Sequence, residues 1–103
     1  MTPTALFSLA PRRVAASITA VQLLAPNGKR RGAIIANDPT SANLYLKYGP
    51  GATLTDFTHY LTAGDQMVMS VLEHGIYVGQ ITGIWAAPTG AAQVTELVEA
   101  GAP

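Results

Sequence analysis

Asn27-Gly28-Lys29-Arg30-Arg31-Gly32-Ala33-Ile34-Ile35-Ala36-Asn37-Asp38-Pro39 decides how the rest of the chain is read. Asn27-Gly28 is a tight-turn pair. A basic run follows, and then the short apolar segment Gly32–Ala36, the composition of a strand buried on both sides. Asn37-Asp38-Pro39 closes it, because Pro39 has no N–H to give to a ladder. The next segment, Asn43-Leu44-Tyr45-Leu46, reads as its hairpin partner.

Outward from this unit the pattern repeats. Turn signals fall at Gly49-Pro50-Gly51, Ala63-Gly64-Asp65, His74-Gly75 and Pro88-Thr89-Gly90. Between them lie segments rich in β-branched and aromatic residues: Ser17–Leu24, Leu44–Tyr48, Phe57–Leu61, Gln66–Leu72, Ile76–Ala86 and Gln93–Val98. Leu44 and Leu46 alternate with Tyr45 and Lys47. Phe57, His59 and Leu61 alternate with Thr58 and Tyr60. Ile76–Ala86 reads as two strands, or as one bent at its glycines, with Gly79–Trp85 part of it. No segment carries a capped 3.6-residue period; residues 52–62 come nearest, with Thr53 and Asp56 placed to cap a turn. The expected fold is all-β: one small antiparallel β-sandwich or jelly-roll-like barrel of seven to eight short strands. The divisions are an extended N-terminal arm at residues 1–16, broken by Pro3 and Pro11, the sandwich at 17–98, and a C-terminal tail at 99–103.

Composition bounds the function. The 103 residues make one domain, which by size buries about two-thirds of its unfolded surface. With no cysteine there is no disulfide frame, thiolate nucleophile or Cys-based zinc site. Six basic residues balance six acidic ones, which argues against a dedicated nucleic-acid binder. Only 12% of residues are charged and 49% are hydrophobic, which suggests that much of the surface meets other protein. The balance hides an asymmetry. Residues 1–50 hold all six bases and one acid, a net +5; residues 51–103 hold five acids and no base, a net −5. Either the subunit is dipolar, or strands of the two halves interleave and mix the charges.

No apolar run has the length of a membrane-spanning helix. Val14–Ala25, after Arg12-Arg13, loosely resembles a twin-arginine leader, but Ser17, Thr19 and Gln22 interrupt it. His59 and His74 have no convincing company of metal ligands, and no nucleophile–base pattern, phosphate loop or tied carboxylate pair is present. No enzymatic activity, cofactor or metal is therefore expected. The arm residues Leu6, Phe7, Leu9, Arg12 and Arg13 are candidates for docking on a neighbour. Arg30 and Arg31 are candidates for electrostatic contact with a partner, and Trp85 for a core or interface anchor.

The stretch Asn27–Asp38 resembles an early strand of small β-sandwich virion proteins of tailed bacteriophages. So do Ala42–Gly49, Asp56-Phe57-Thr58, Leu61–Gly64, Gly83-Ile84-Trp85-Ala86-Ala87, Thr89–Ala92 and Val94-Thr95-Glu96, and together they cover roughly residues 27–98. The arm at 1–16 and Val68–His74 fall outside the resemblance. The resemblance implies a head- or tail-associated structural protein without enzymatic role: first a capsid decoration or cement protein on the major capsid protein, self-associating, with a trimer favoured. A tail, collar or fibre-attachment subunit is the alternative within the virion. A carbohydrate- or receptor-binding sandwich is the alternative outside that class. The implied location is the virion, assembled in the bacterial cytoplasm.

Overall fold

A computed structural model describes residues 6–8, 11–70 and 75–99. The chain is all-β, with nine strands and no helix among these residues. The strands are β1 (Leu6–Ser8), β2 (Arg12–Ala15), β3 (Val21–Leu24), β4 (Arg30–Asn37), β5 (Leu44–Tyr48), β6 (His59–Leu61), β7 (Gln66–Met69), β8 (Ile81–Trp85) and β9 (Ala91–Glu99). Two antiparallel sheets form a small β-sandwich. The first runs β7-β4-β9, with β1 and β2 following one another along the outer edge of β9; the second runs β3-β8-β5-β6. No helix among the described residues is long and apolar enough to cross a membrane.

Alternation builds the core. Ala33 and Ile35 of β4, Val94 and Ala92 of β9 and Met67 and Met69 of β7 face inward from the first sheet. Leu23, Leu44, Leu46, Leu61, Ile81 and Trp85 meet them from the second. Gly83 of β8 is inside as well: a Cβ there would stand 2.8 Å from the Leu23 side chain and 3.0 Å from that of Leu44. Leu23 and Leu24 are consecutive yet both buried, because the β3–β8 register slips by one residue between Gln22 and Leu24.

Several boundaries differ from the sequence reading, each for a physical reason. Leu44–Tyr48 is not the hairpin partner of β4. It lies in the opposite sheet, and the neighbours of β4 are β7 and β9. Phe57 is not on the inward face with Leu61; it precedes β6 and is 40% exposed. Only Ile81–Trp85 of the expected long strand is in a sheet. Upstream, Tyr77 and Gly79 give their carbonyls to Arg30 and Val78 gives its carbonyl to the Asn27 N–H, so they are not in a ladder. Thr53 does accept the Asp56 N–H (2.8 Å), but one turn results and no helix. The count exceeds eight because arm residues 6–8 and 12–15 are themselves strands on β9.

The two halves of the sequence interleave. β4, from the basic half, lies between β7 and β9 of the acidic half. Arg30–Glu96 and Lys47–Asp56 pair across the halves at 2.7 and 2.6 Å, so charge is mixed rather than split between two poles.

Candidate interaction surface

The basic run holds the largest surprise. Arg30 and Arg31 are neighbours with opposite fates: Arg30 is fully buried and Arg31 is exposed. The cause is a bulge. On β9, Leu97 and Val98 are adjacent, while their partners Gly32 and Arg30 are two apart. The extra residue, Arg31, reverses the alternation and turns Arg30 toward the core. There its Nε donates to Glu96 Oε2 (2.7 Å), Nη1 donates to the carbonyls of Tyr77 (2.6 Å) and Gly79 (3.0 Å), and Nη2 donates to that of Ala25 (2.6 Å). Glu96 takes a further bond from Asn27 Nδ2 at 3.3 Å. A guanidinium presents its donors in a fixed fork, and this site fills most of them. Arg30 therefore clamps β4 to β9 and to the segments flanking the second sheet, and is corrected from a partner contact to an internal tie.

Trp85 is corrected in the same way. It is 1% exposed and donates its indole N–H to Asn37 Oδ1 at 3.1 Å. Asn37 Nδ2 serves the carbonyls of Ala42 (2.9 Å), Thr62 (3.2 Å) and Leu61 (3.3 Å). Trp85 and Asn37 thus form a tie inside the sandwich, at the far end of β4 from Arg30.

Leu6 and Phe7 lie in β1, in register with Glu99 and Val98; Leu9 lies outside the described residues, as does His74. Arg12 is inward by register, opposite Val94, and donates to the Leu23 carbonyl across the gap between the sheets. It borders a cleft of about 260 Å³ with Leu24, Pro26, Val94 and Glu96. Arg13 points outward and pairs with Asp38 at 2.6 Å. Arg31 donates to the carbonyls of Gly28 and Arg30. The structure thus brings Leu6, Phe7, Arg12 and Arg13 to one edge of the first sheet and takes Arg30 and Trp85 inside.

The most prominent exposed aromatic feature lies elsewhere. On the outer face of the second sheet Tyr45 is bracketed by Phe57 (ring centroids 5.0 Å, edge-on) and Tyr60 (4.9 Å, tilted). Phe57 and Tyr60 are both exposed, Tyr45 half-buried. Asn43 Nδ2 donates to the Tyr60 hydroxyl at 2.8 Å, and the Lys47–Asp56 pair fixes the loop that presents Phe57. The outward alternation of Tyr45 and Tyr60 was legible in sequence; the arrival of Phe57 from a loop was not.

On the inner side of the same sheet, Tyr48 stacks on Tyr77 (4.8 Å, planes 6° apart) and lies 3.3 Å from His59 Nε2. Burial pushes the Tyr48 phenol up from its ordinary value, with Arg30 pulling it back in part. Among the described residues no group of three or more His, Asp or Glu side chains is placed to hold a metal ion. Comparison with protein families, curated proteins and solved structures found no match for the chain.

Proposed function

We propose that the chain is a non-enzymatic structural subunit of a tailed-bacteriophage virion, a decoration or cement protein that strengthens the head by bridging capsid subunits. The observation that carries this reading beyond the family resemblance is the Tyr45–Phe57–Tyr60 cluster. Exposed aromatics on a rigid sheet supply large contact area at low entropic cost, the character of interface hot spots. Its mechanism is passive: contact area added across a joint that has to resist internal pressure. The arm supports the same reading in a changed form, through the outer edge of β1 and β2 rather than as a detached extension.

The test is cosedimentation of the purified protein with isolated empty capsids. Wild type is expected to saturate the shells at a fixed stoichiometry, and Phe57→Ser with Tyr60→Ser to weaken binding at least about tenfold, the effect of losing one or two hot-spot side chains. Binding to purified tails but not to heads would move the protein to a tail or collar position. A second reading, glycan or receptor binding, rests on the Asn43 amide beside Tyr60. Saturable binding on a glycan array, lost in Tyr60→Ser, would favour it over capsid decoration.

A further inference from the structure

Asn27-Gly28 is the chain's one Asn-Gly pair; the other two asparagines precede Asp38 and Leu44. The fold uses Asn27 four times. Its N–H donates to the Val78 carbonyl (2.7 Å) and its carbonyl accepts the Arg30 N–H (3.0 Å). Its side-chain Oδ1 accepts the Lys29 N–H (3.0 Å), and its Nδ2 donates to Glu96 Oε1 in the longest bond of the four, 3.3 Å. Gly28 is treated differently. It is exposed, and its N–H has no acceptor among the described residues. A Cβ there would meet nothing within 4 Å, and its φ lies outside the left-handed region. No conformational need for glycine therefore holds this position. An unengaged amide N–H thus stands next to a side-chain amide whose oxygen already has a donor.

We propose that Asn27 is a site of spontaneous deamidation, and that its product works against the Arg30 clamp. Gly28 N gives up its proton and bonds to Asn27 Cγ, with no Cβ on Gly28 to crowd the attack. The Lys29 N–H supports the negative charge that develops on Oδ1, as donors do in an oxyanion hole. The Cγ–Nδ2 bond then breaks, and ammonia leaves carrying that proton. A five-membered succinimide remains. Water opens it at Cγ to give aspartate, or at the Asn27 carbonyl carbon to give an isoaspartyl link. One water enters and one ammonia leaves, with no oxidant or reductant. The consequence falls on the clamp. Where Glu96 Oε1 now has a donor at 3.3 Å, it would face a carboxylate. Glu96 is only 9% exposed, so the repulsion is weakly screened. The new charge touches the anionic member of the Arg30–Glu96 pair, and four Arg30 N–H bonds are already committed to Glu96 and to three carbonyls. The isoaspartyl product also displaces the Asn27 carbonyl that holds the Arg30 N–H. This chemistry is independent of any virion role.

Peptide mapping of the folded full chain during storage in mildly alkaline buffer tests it. The tryptic peptide of residues 14–29 contains Asn27 and neither other asparagine; both of those fall in the peptide of residues 32–47. The first is expected to accumulate the amide-to-acid mass gain together with an isoaspartyl isomer, while the second stays unchanged. Gly28→Ala, which the turn has room for, is expected to slow the gain at least about tenfold. Asn27→Asp supplies one product directly. It is expected to lower the folding equilibrium constant about tenfold in a denaturant titration, and to cost less when combined with Glu96→Gln, because the like charge is then gone. No gain at Asn27, an undiminished rate in Gly28→Ala, an Asn27→Asp chain as stable as wild type, or a loss that Glu96→Gln leaves unchanged would each overturn the proposal.

Discussion

The two ends of β4 perform the same task with different chemistry. Arg30 at the start and Asn37 at the end each reach from the first sheet to groups on or beside the second, and each is almost fully buried. Arg30 does it as an ion, balanced by Glu96. Asn37 does it as a neutral amide, with three carbonyls on its nitrogen and the Trp85 indole on its oxygen. The difference lies in what remains when one partner goes. A buried ion left alone costs several kcal/mol, whereas an orphaned neutral donor costs about 1–3 kcal/mol. The ionic end is thus the more sensitive to single changes and the more tolerant of paired ones.

The comparison breaks most visibly at Glu96→Leu. It strands the Arg30 charge and is expected to cost about 3–5 kcal/mol, a fall in Tm of more than about 12 °C for a domain of this size. Arg30→Met combined with Glu96→Leu is expected to recover a large part of that loss, because both charges leave together. A denaturant double-mutant cycle checks this, and additive losses would show that the pair is not a coupled unit. Asn37→Leu comes next, at about 2–3 kcal/mol, mostly from the orphaned Trp85 N–H. Adding Trp85→Phe should cost less on that background than on wild type. A smaller effect is alkaline. Tyr48 has its phenol pKa raised in the fold, so its contribution is fully present below the unfolded value near 10 and is lost as pH rises through the folded value. Tyr48→Phe should therefore delete a late component of the phenolate absorbance titration. Last, Asp38→Asn releases the Arg13 pair, whose arginine is 60% exposed, and is expected to change stability by less than about 1 kcal/mol.

How far the sequence could be read follows from the same residues. Period-two alternation placed β5 to the residue, because Leu44 and Leu46 are core and Tyr45 and Lys47 are not. It also gave the all-β class. It could not choose partners. Alternation says which face a strand buries, not which sheet it joins, so β5 was paired with β4 rather than with β6 and β8. It also assumes an unbroken register, and Arg30 sits where that assumption ends: a charged residue beside an Asn-Gly turn looks like surface until a bulge turns it inward. Asn37, taken only as part of a terminating turn, was hidden for a related reason, since three of its four partners come from distant segments. The aromatic cluster was half visible, its strand residues legible and its loop residue not.

The bulge at Arg31 makes chain length at that point a matter of parity. Regularising the strand without removing a residue would turn Arg30 outward and bring Arg31 to the inward place opposite Val98, whereas removing Arg31 itself would let plain alternation from Ala33 keep Arg30 inward. Homologous chains that keep the Arg30–Glu96 pair are thus expected either to retain the extra residue with its bulge or to lack both.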